Sequence, residues 1–293
     1  MSKTKVLGVD IGGSHITAGW VDMKTNQLDE SSLIRRKVDS AANASTIIEA
    51  WKDAIKSVPG FESVEPKIGI AMPGPFDYSK GISLIKEQGK YASIYKLCVK
   101  DLLAKALGIS PENIHFENDA ACFLQGEVEA GAARSAESAI GLTLGTGLGS
   151  SKYQGGFAED AALWCSPFKA SIVEEYVSTR WFVNSYLEKT GENIKEVREL
   201  TQNLQNEVVA KEIFREFGNN LALFLKEFIK KVQPEVIVLG GNISKAKDLF
   251  LRNVVNELAS YGLSTPIKIT ELGEQAALIG AACSWKNNKK ALL

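Results

Sequence analysis

The chain has 293 residues, 45% hydrophobic and 24% charged, enough apolar material to bury a sizeable core without disulfides or metals. Lys and Arg number 34 against 35 Asp and Glu, a formal net charge of -1, so no basic excess points to nucleic acid or an anionic membrane. The four cysteines (Cys98, Cys122, Cys165, Cys283) form no CxxC pair, no run reaches membrane-spanning length and no leader pattern opens the chain; a reduced cytoplasm is the expected location.

Two apolar runs, Val6–Asp10 and Ile16–Val21, read as strands around the turn Asp10-Ile11-Gly12-Gly13-Ser14. Glycine permits positive φ and lets backbone N–H groups approach a ligand with no Cβ between them, and successive N–H groups in such a bend form an anion-binding concavity. Ser14 adds a hydroxyl donor. Asp10 would repel a phosphate held there, a conflict that a bridging Mg²⁺ resolves, because Mg²⁺ commonly binds through one carboxylate plus waters. A polar hairpin turn with no ligand is the alternative reading of this bend alone. Ser45–Val58 has helical spacing, with Ile47, Ile48, Trp51, Ile55 and Val58 on one face. Lys67–Ala71 reads as a strand and Val99–Leu107 as a helix. The strand Ile114–Glu117 leads into Asn118, a suitable N-cap for a helix reaching Ala130. Asp119 then sits in the first turn, where the helix dipole favours a charged carboxylate able to accept a proton from a hydroxyl. On local sequence, capping explains this pair more simply than catalysis.

In the second half, the strand Ile140–Leu144 meets another polar glycine turn at Gly145-Thr146-Gly147-Leu148-Gly149. The GxGxG spacing opens no clear helix and no GxxxxGK[ST] exists, so neither common nucleotide fingerprint is present. One strand pair with a glycine turn per half is a weak internal repeat, read as two similar lobes. Glu207–Val232 is the longest helix, stopped by Gln233-Pro234. The strand Val236–Leu239 runs into Gly240-Gly241, with a helix expected from Ser244; such glycines mark where open α/β sheets bind ligands. Ile267–Thr270 is a further strand, and the small residues of Glu271–Ala282 suit a helix packed tightly on a sheet. Interleaved strands and helices predict an α/β protein with substantial parallel sheet. His15 and His115, the only histidines, read as a turn filler and a packed strand residue.

The ordered segments VDIGGSHITAG, IGIAMPGPFD, ENDAACFLQGE, LTLGTGLGS, PEVIVLGGNIS and LGEQAALIGAA resemble the ROK family of sugar kinases, within the actin-like ATPase superfamily. The resemblance implies a two-lobed actin-like ATPase (ribonuclease H-like) fold of α/β class with the active site in the interdomain cleft. The two glycine-turn strand pairs set a boundary near Asn118, giving lobes 1–117 and 118–280, and the resemblance has the C-terminal helix, from about 281 to 293, join the first lobe. It implies ATP and Mg²⁺, with Asp10, Gly12, Gly13 and Ser14 forming the first phosphate loop and Asp10 meeting Mg²⁺ through water. Thr146 and Gly147 would form the second loop, with Gly240 and Gly241 by the adenosine. Asp119 would be the general base, with Asn118 beside it on the sugar.

Two departures stand out. Where the family has GGFAGEIGH and a cysteine-rich zinc loop, this chain has GGFAEDAALW, then CSPFKASIVEEYVS; Leu163 takes the histidine position and only Cys165 is nearby. Four ligands cannot be assembled, so no structural zinc is expected. Glu174 still matches a sugar-contacting glutamate, and Asp160 stands where another glutamate is usual, with Glu159 one residue away. A sugar-facing asparagine is also missing from ISLIKEQGKYASIYKL, where Gln88 or Lys90 are the substitutes. The implied activity is transfer of the ATP γ-phosphate to a hexose, at C6 of glucose. The alternatives are an N-acetylhexosamine, mannose or fructose kinase, or a non-catalytic sugar sensor. The implied partners are the sugar and a second copy in a homodimer. With the first strand starting by Lys5, no room is left for the DNA-binding segment of the family's repressors, and no nucleic acid is expected.

Overall fold

A computed structural model of the chain describes residues 5–63, 65–86, 89–202 and 207–288. The chain forms two compact units: Met1–Ser135 with Phe157–Glu159 and Glu274–Leu293, and Ala136–Gly156 with Asp160–Gly273. Among the described residues, no helix is long and apolar enough to cross a membrane.

The first unit contains β1 (Lys5–Ile11), β2 (His15–Asp22), β3 (Gln27–Leu28), β4 (Ile34–Lys37), α1 (Ala44–Lys56), β5 (Ile68–Met72), β6 (Phe76–Asp77), β7 (Ile82–Ser83), α2 (Val99–Leu107), β8 (Ile114–Asn118) and α3 (Asp119–Ala130). Its main sheet has the order β3-β2-β1-β5-β8, with β4 also on β2. β1 and β2 are antiparallel, whereas β1, β5 and β8 run parallel. All of β5 is buried, as expected for a parallel strand covered on both faces. The register sets Asp10 beside Ala71 and Ala71 beside Glu117, so β1 and β8 deliver the first bend and Asn118 to the same carboxyl edge.

The C-terminal helix, Gln275–Asn288, lies against this sheet with almost no space between backbones. A Cβ on Gly8 would stand 2.2 Å from the Leu278 carbonyl oxygen, and one on Gly69 1.9 Å from that of Ala281. The same contact explains why the unit boundary differs from the expected one at 117–118. On α3, a Cβ at Gly126 would stand 2.1 Å from the Ala276 oxygen, and one at Gly280 only 1.8 Å from the Cys122 oxygen. This glycine-mediated pairing ties α3 to the C-terminal helix, so α3 stays in the first unit and the division falls at Ser135–Ala136. The C-terminal part of this unit begins at Glu274 rather than near 281.

The second unit repeats the plan with β9 (Ser138–Leu144), β10 (Leu148–Gln154), β12 (Pro167–Phe168), β13 (Ser171–Ile172), α4 (Glu174–Val177), α5 (Thr179–Thr190), α6 (Val197–Gln202), α7 (Glu207–Val232), β14 (Val236–Gly240), α8 (Leu251–Ser260) and β15 (Ile267–Ile269), while of β11 (Phe157–Asp160) all but Asp160 is counted with the first unit. The sheet order is β11-β10-β9-β14-β15. An antiparallel hairpin followed by parallel strands thus occurs twice, as the internal repeat predicts. Phe217 anchors the core, its ring 4.7 Å from Phe182 and 5.1 Å from Phe250. The helix expected from Ser244 differs: Ile243–Leu249 is a 3-10 stretch with Ala246 outside helical geometry, and regular helix begins only at Leu251.

Candidate active site

The first glycine turn closes the β1–β2 hairpin, with the Gly12 N–H donating to the His15 carbonyl at 2.9 Å. Neither Gly12 nor Gly13 adopts positive φ, so the handedness argument does not apply here. The Lys90 side chain lies against the turn, its Cδ 3.4 Å from where a Cβ on Gly13 would stand, an ordinary contact distance. The N–H groups of Gly13 and Ser14 have no hydrogen-bond partner among the described residues, which leaves them as anion donors. Tyr91 fixes the turn from below, its buried hydroxyl donating to the Gly12 carbonyl at 2.6 Å. Burial pushes that hydroxyl up to about 12, which keeps it protonated. Ser14 Oγ and His15 Nδ1 share a hydrogen bond of 2.9 Å.

At the end of β8, Asn118 caps α3 as its sequence predicts. Its Oδ1 accepts from the N–H groups of Ala120 at 2.9 Å and Ala121 at 3.1 Å. Its Nδ2 donates to the Tyr78 hydroxyl at 3.1 Å, and that hydroxyl donates to the Met72 carbonyl at 3.1 Å. Asp119 follows, half-buried, and accepts the Ala120 N–H at 2.9 Å. At this position the helix dipole meets an opposing influence. Burial pushes the Asp119 carboxyl above its ordinary range, outweighing Lys90 and the Ala120 N–H, which pull it down. Asp10 is pushed up to about 7, first by burial, then by repulsion from Asp119 and Glu274, with Arg35 opposing. Arg35 is itself ion-paired with Glu274. A carboxylate under this strain fits a divalent cation, and Asp10 would hold Mg²⁺ through one carboxylate and waters.

In the second unit, the Gly145 carbonyl accepts both the N–H and the Oγ1 of Thr179, at 2.8 and 2.9 Å. The N–H groups of Thr146 and Gly147 have no partner among the described residues. At Gly147 room is short: a Cβ there would stand 2.6 Å from Glu174 Oε2, the same oxygen that accepts the Leu148 N–H at 2.9 Å. Glu174, expected on the sugar, therefore grips the second bend in this structure, with Arg180 3.8 Å from its other oxygen. Gly241 does require glycine, with φ of 83° and a virtual Cβ 2.3 Å from the Leu144 carbonyl oxygen. A cavity of about 920 Å³ opens beside these loops, lined among others by Thr146, Thr179, Lys195, Arg198, Asn242 and Lys245. Asp160 is exposed and accepts the Ala162 N–H at 2.8 Å.

Where the resemblance puts a cysteine-rich loop, Leu163–Cys165 form a single 3-10 turn and Cys165 is exposed. The following β12–β13 hairpin is held by Lys169, whose ammonium lies 5.8 Å from the Phe168 ring centre and 5.3 Å from that of Tyr176. Lys169 also donates to Asn220 Oδ1.

The ROK family profile matches residues 6–160 and 156–288, nearly the whole chain. The chain belongs to the ROK family. An N-acetyl-D-glucosamine kinase of Photobacterium profundum is 25% identical over 304 residues, spanning 94% of this ROK chain and 97% of that protein. The crystal structure of a ROK hexokinase from Thermus thermophilus is similar with a TM-score of 0.81 at 23% identity, covering 98% and 99% of the two chains. A ROK family glucokinase from Streptomyces griseus, solved in complex with glucose and AMPPNP, gives 0.75 at 22% identity, covering 95% and 98%. The fold is the α/β, two-lobed actin-like ATPase fold that the resemblance implies.

In this ROK protein the first unit brings Asp10, Gly12, Gly13, Ser14, Asn118 and Asp119 to one edge of its sheet. The second unit brings Thr146 and Gly147, together with Glu174, to the turn after β9, while Gly240 ends the neighbouring strand, pairing with Thr143, and Gly241 follows it. Gln88 lies outside the described residues. Tyr78, Tyr91 and Thr179 escape a sequence reading, because each acts on a partner far along the chain and none sits in a patterned segment.

Proposed function

We propose that this chain, a sugar kinase of the ROK family, transfers the γ-phosphoryl group of ATP to the 6-hydroxyl of glucose, with Asp119 as general base. The observation that carries the reading is the edge of the first sheet. There the Asn118 cap fixes Asp119 at the head of α3, and burial raises its carboxyl, on the same edge as the unpartnered N–H groups of Gly13 and Ser14. A raised carboxyl lies nearer working pH and is the better-matched base. As the sugar oxygen forms its bond to the γ-phosphorus, the bond from that phosphorus to the bridging oxygen breaks. ADP leaves with the electron pair, and the hydroxyl proton passes to Asp119.

In this reading the N–H groups of Gly13, Ser14, Thr146 and Gly147 hold the phosphates. Gly240, Gly241 and the cavity beside them take the adenosine. Mg²⁺, when bound at Asp10, supplies positive charge against the phosphate oxygens. Asn118, Asp160 and Glu174 are the sugar contacts, Glu174 by giving up its bond to the Leu148 N–H. An N-acetylhexosamine is the second reading, favoured by the likeness to the Photobacterium kinase. The test is ADP release with ATP and Mg²⁺ over glucose, N-acetylglucosamine, N-acetylmannosamine, mannose and fructose. Glucose should give the highest kcat/KM. Preference for an N-acetylated sugar would replace glucose, and no sugar-dependent ADP from any of them would end the kinase reading.

A further inference from the structure

Lys90 stands out among the cations of the first unit. Arg35 is consumed by Glu274. Lys90 makes neither an ion pair nor a hydrogen bond among the described residues, although it is half-buried. A lysine with no partner is ordinarily a solvated surface group, but this one lies against the first glycine turn. Its aliphatic chain runs against Gly13, as close as 3.4 Å to where a Cβ would be. The next residue is locked three ways. Tyr91 takes a left-handed conformation at φ 57°, its N–H donates to the Ser40 carbonyl at 2.8 Å, and its hydroxyl donates to the Gly12 carbonyl at 2.6 Å. Its buried ring also meets Trp51 edge-on at 5.4 Å. Gly89, on the other side, takes φ 67°. A left-handed backbone at a non-glycine residue is costly and persists where the surroundings fix it. These constraints fix the backbone from which the Lys90 side chain reaches the first bend.

We propose that Lys90 is a catalytic cation of this transferase, contacting the γ-phosphoryl oxygens between the first glycine bend and Asp119 as the phosphoryl group moves. This rests on the kinase reading and assigns it a residue. Its charge already reaches Asp119, where Lys90 opposes the effect of burial. Charge on the equatorial oxygens of a transferring phosphoryl group is stabilised by fixed cations and donors, and removal of one such group commonly costs about 10²–10³ in kcat. The neighbourhood otherwise carries Asp10, Asp119 and Glu274, so a phosphate arriving there meets negative charge.

The test compares the unmodified protein with Lys90→Met, Lys90→Gln and Lys90→Arg in steady-state assays over ATP and the best sugar of the panel, at saturating Mg²⁺. Both neutral variants should lose about 10²–10³ in kcat, with KM for the sugar and for ATP within about threefold, and Lys90→Arg should recover part of the loss. Thermal melting of all three within a few degrees of the unmodified protein excludes a folding effect, and the two neutral side chains of different length guard against one misfolding. A raised sugar KM with unchanged kcat would make Lys90 a sugar contact and overturn the proposal. An active unmodified protein with equally active neutral variants would overturn the proposal alone. An unmodified protein that turns over no sugar would overturn the kinase reading and this assignment with it.

Discussion

Asp10→Asn removes a carboxyl that the first unit raises from 3.8 to about 7. The sign follows from linkage. Between those two values the folded state holds a proton that the unfolded chain has released, so this group makes the protein less stable as pH rises through that window. A rise of about 3 units at about 1.4 kcal/mol each gives a loss of up to about 4 kcal/mol, complete above about pH 7. Burial is the largest cause and Asp119 the next, so an uncharged amide of similar shape escapes most of it. The assay is urea unfolding at a series of pH values from about 4 to 8, in EDTA, for both proteins. Near pH 4 the two should differ little. At pH 8 Asp10→Asn should be the more stable by as much as about 4 kcal/mol. Millimolar Mg²⁺ should then stabilise the unmodified protein and leave the variant unchanged, and the variant should have lost turnover despite its stability. Parallel pH dependences for the two proteins would refute the reasoning, because they would mean that Asp10 is not strained in the fold.

Asp119→Asn should lower kcat by about 10²–10⁴ while calorimetry shows ATP binding retained, and near-normal turnover would rule out the base assignment. Asn118→Ala removes the α3 cap and the partner of the Tyr78 hydroxyl, and should cost about 1–2 kcal/mol by denaturant unfolding. Gly280→Ala drives a methyl to 1.8 Å from the Cys122 carbonyl oxygen, a backbone atom with no freedom to turn aside. It should destabilise by at least about 1–3 kcal/mol, seen as a lower melting temperature, and an unchanged melt would show that the helices can part.

Much of the fold was legible because the parallel strands are buried on both faces and therefore read as unbroken apolar runs. β5, with five buried residues in a row, is the clearest case. The end of α7 was marked by Gln233-Pro234. Short strands such as β3, β6 and β12 carry two residues each and exist only through pairing, which no local pattern encodes. The membership of α3 in the first unit was illegible for a related reason. It depends on Gly126 and Gly280 meeting backbone on another helix far along the chain, and a small residue in a helix looks the same whether or not something approaches it. At the site, the glycine turns and the Asn118 cap were visible because each is a local solution to a local problem. The upward pull on the Asp119 carboxyl was not, because it comes from burial by segments distant in the chain.

The same distinction explains why the first unit's electrostatics point beyond the motif residues. The motif contributes Asp10 and Asp119, two carboxyls of which Asp119 raises Asp10, and Glu274 adds a third negative group. Read alone, that set disfavours the anion that the proposed function places on the backbone donors. Arg35 offsets this only in part, since its guanidinium is ion-paired with Glu274. A chain that keeps free N–H groups at Gly13 and Ser14 beside such carboxyls needs positive charge from outside the motif. A divalent cation at Asp10 is one source. The segment around Tyr91, bonded to the carbonyl of Gly12, brings the other in Lys90. Nucleotide binding to this unit should therefore depend on both together: with Lys90 neutralised, affinity for ATP should become more sensitive to Mg²⁺ concentration, because a single cation then has to offset what two offset before.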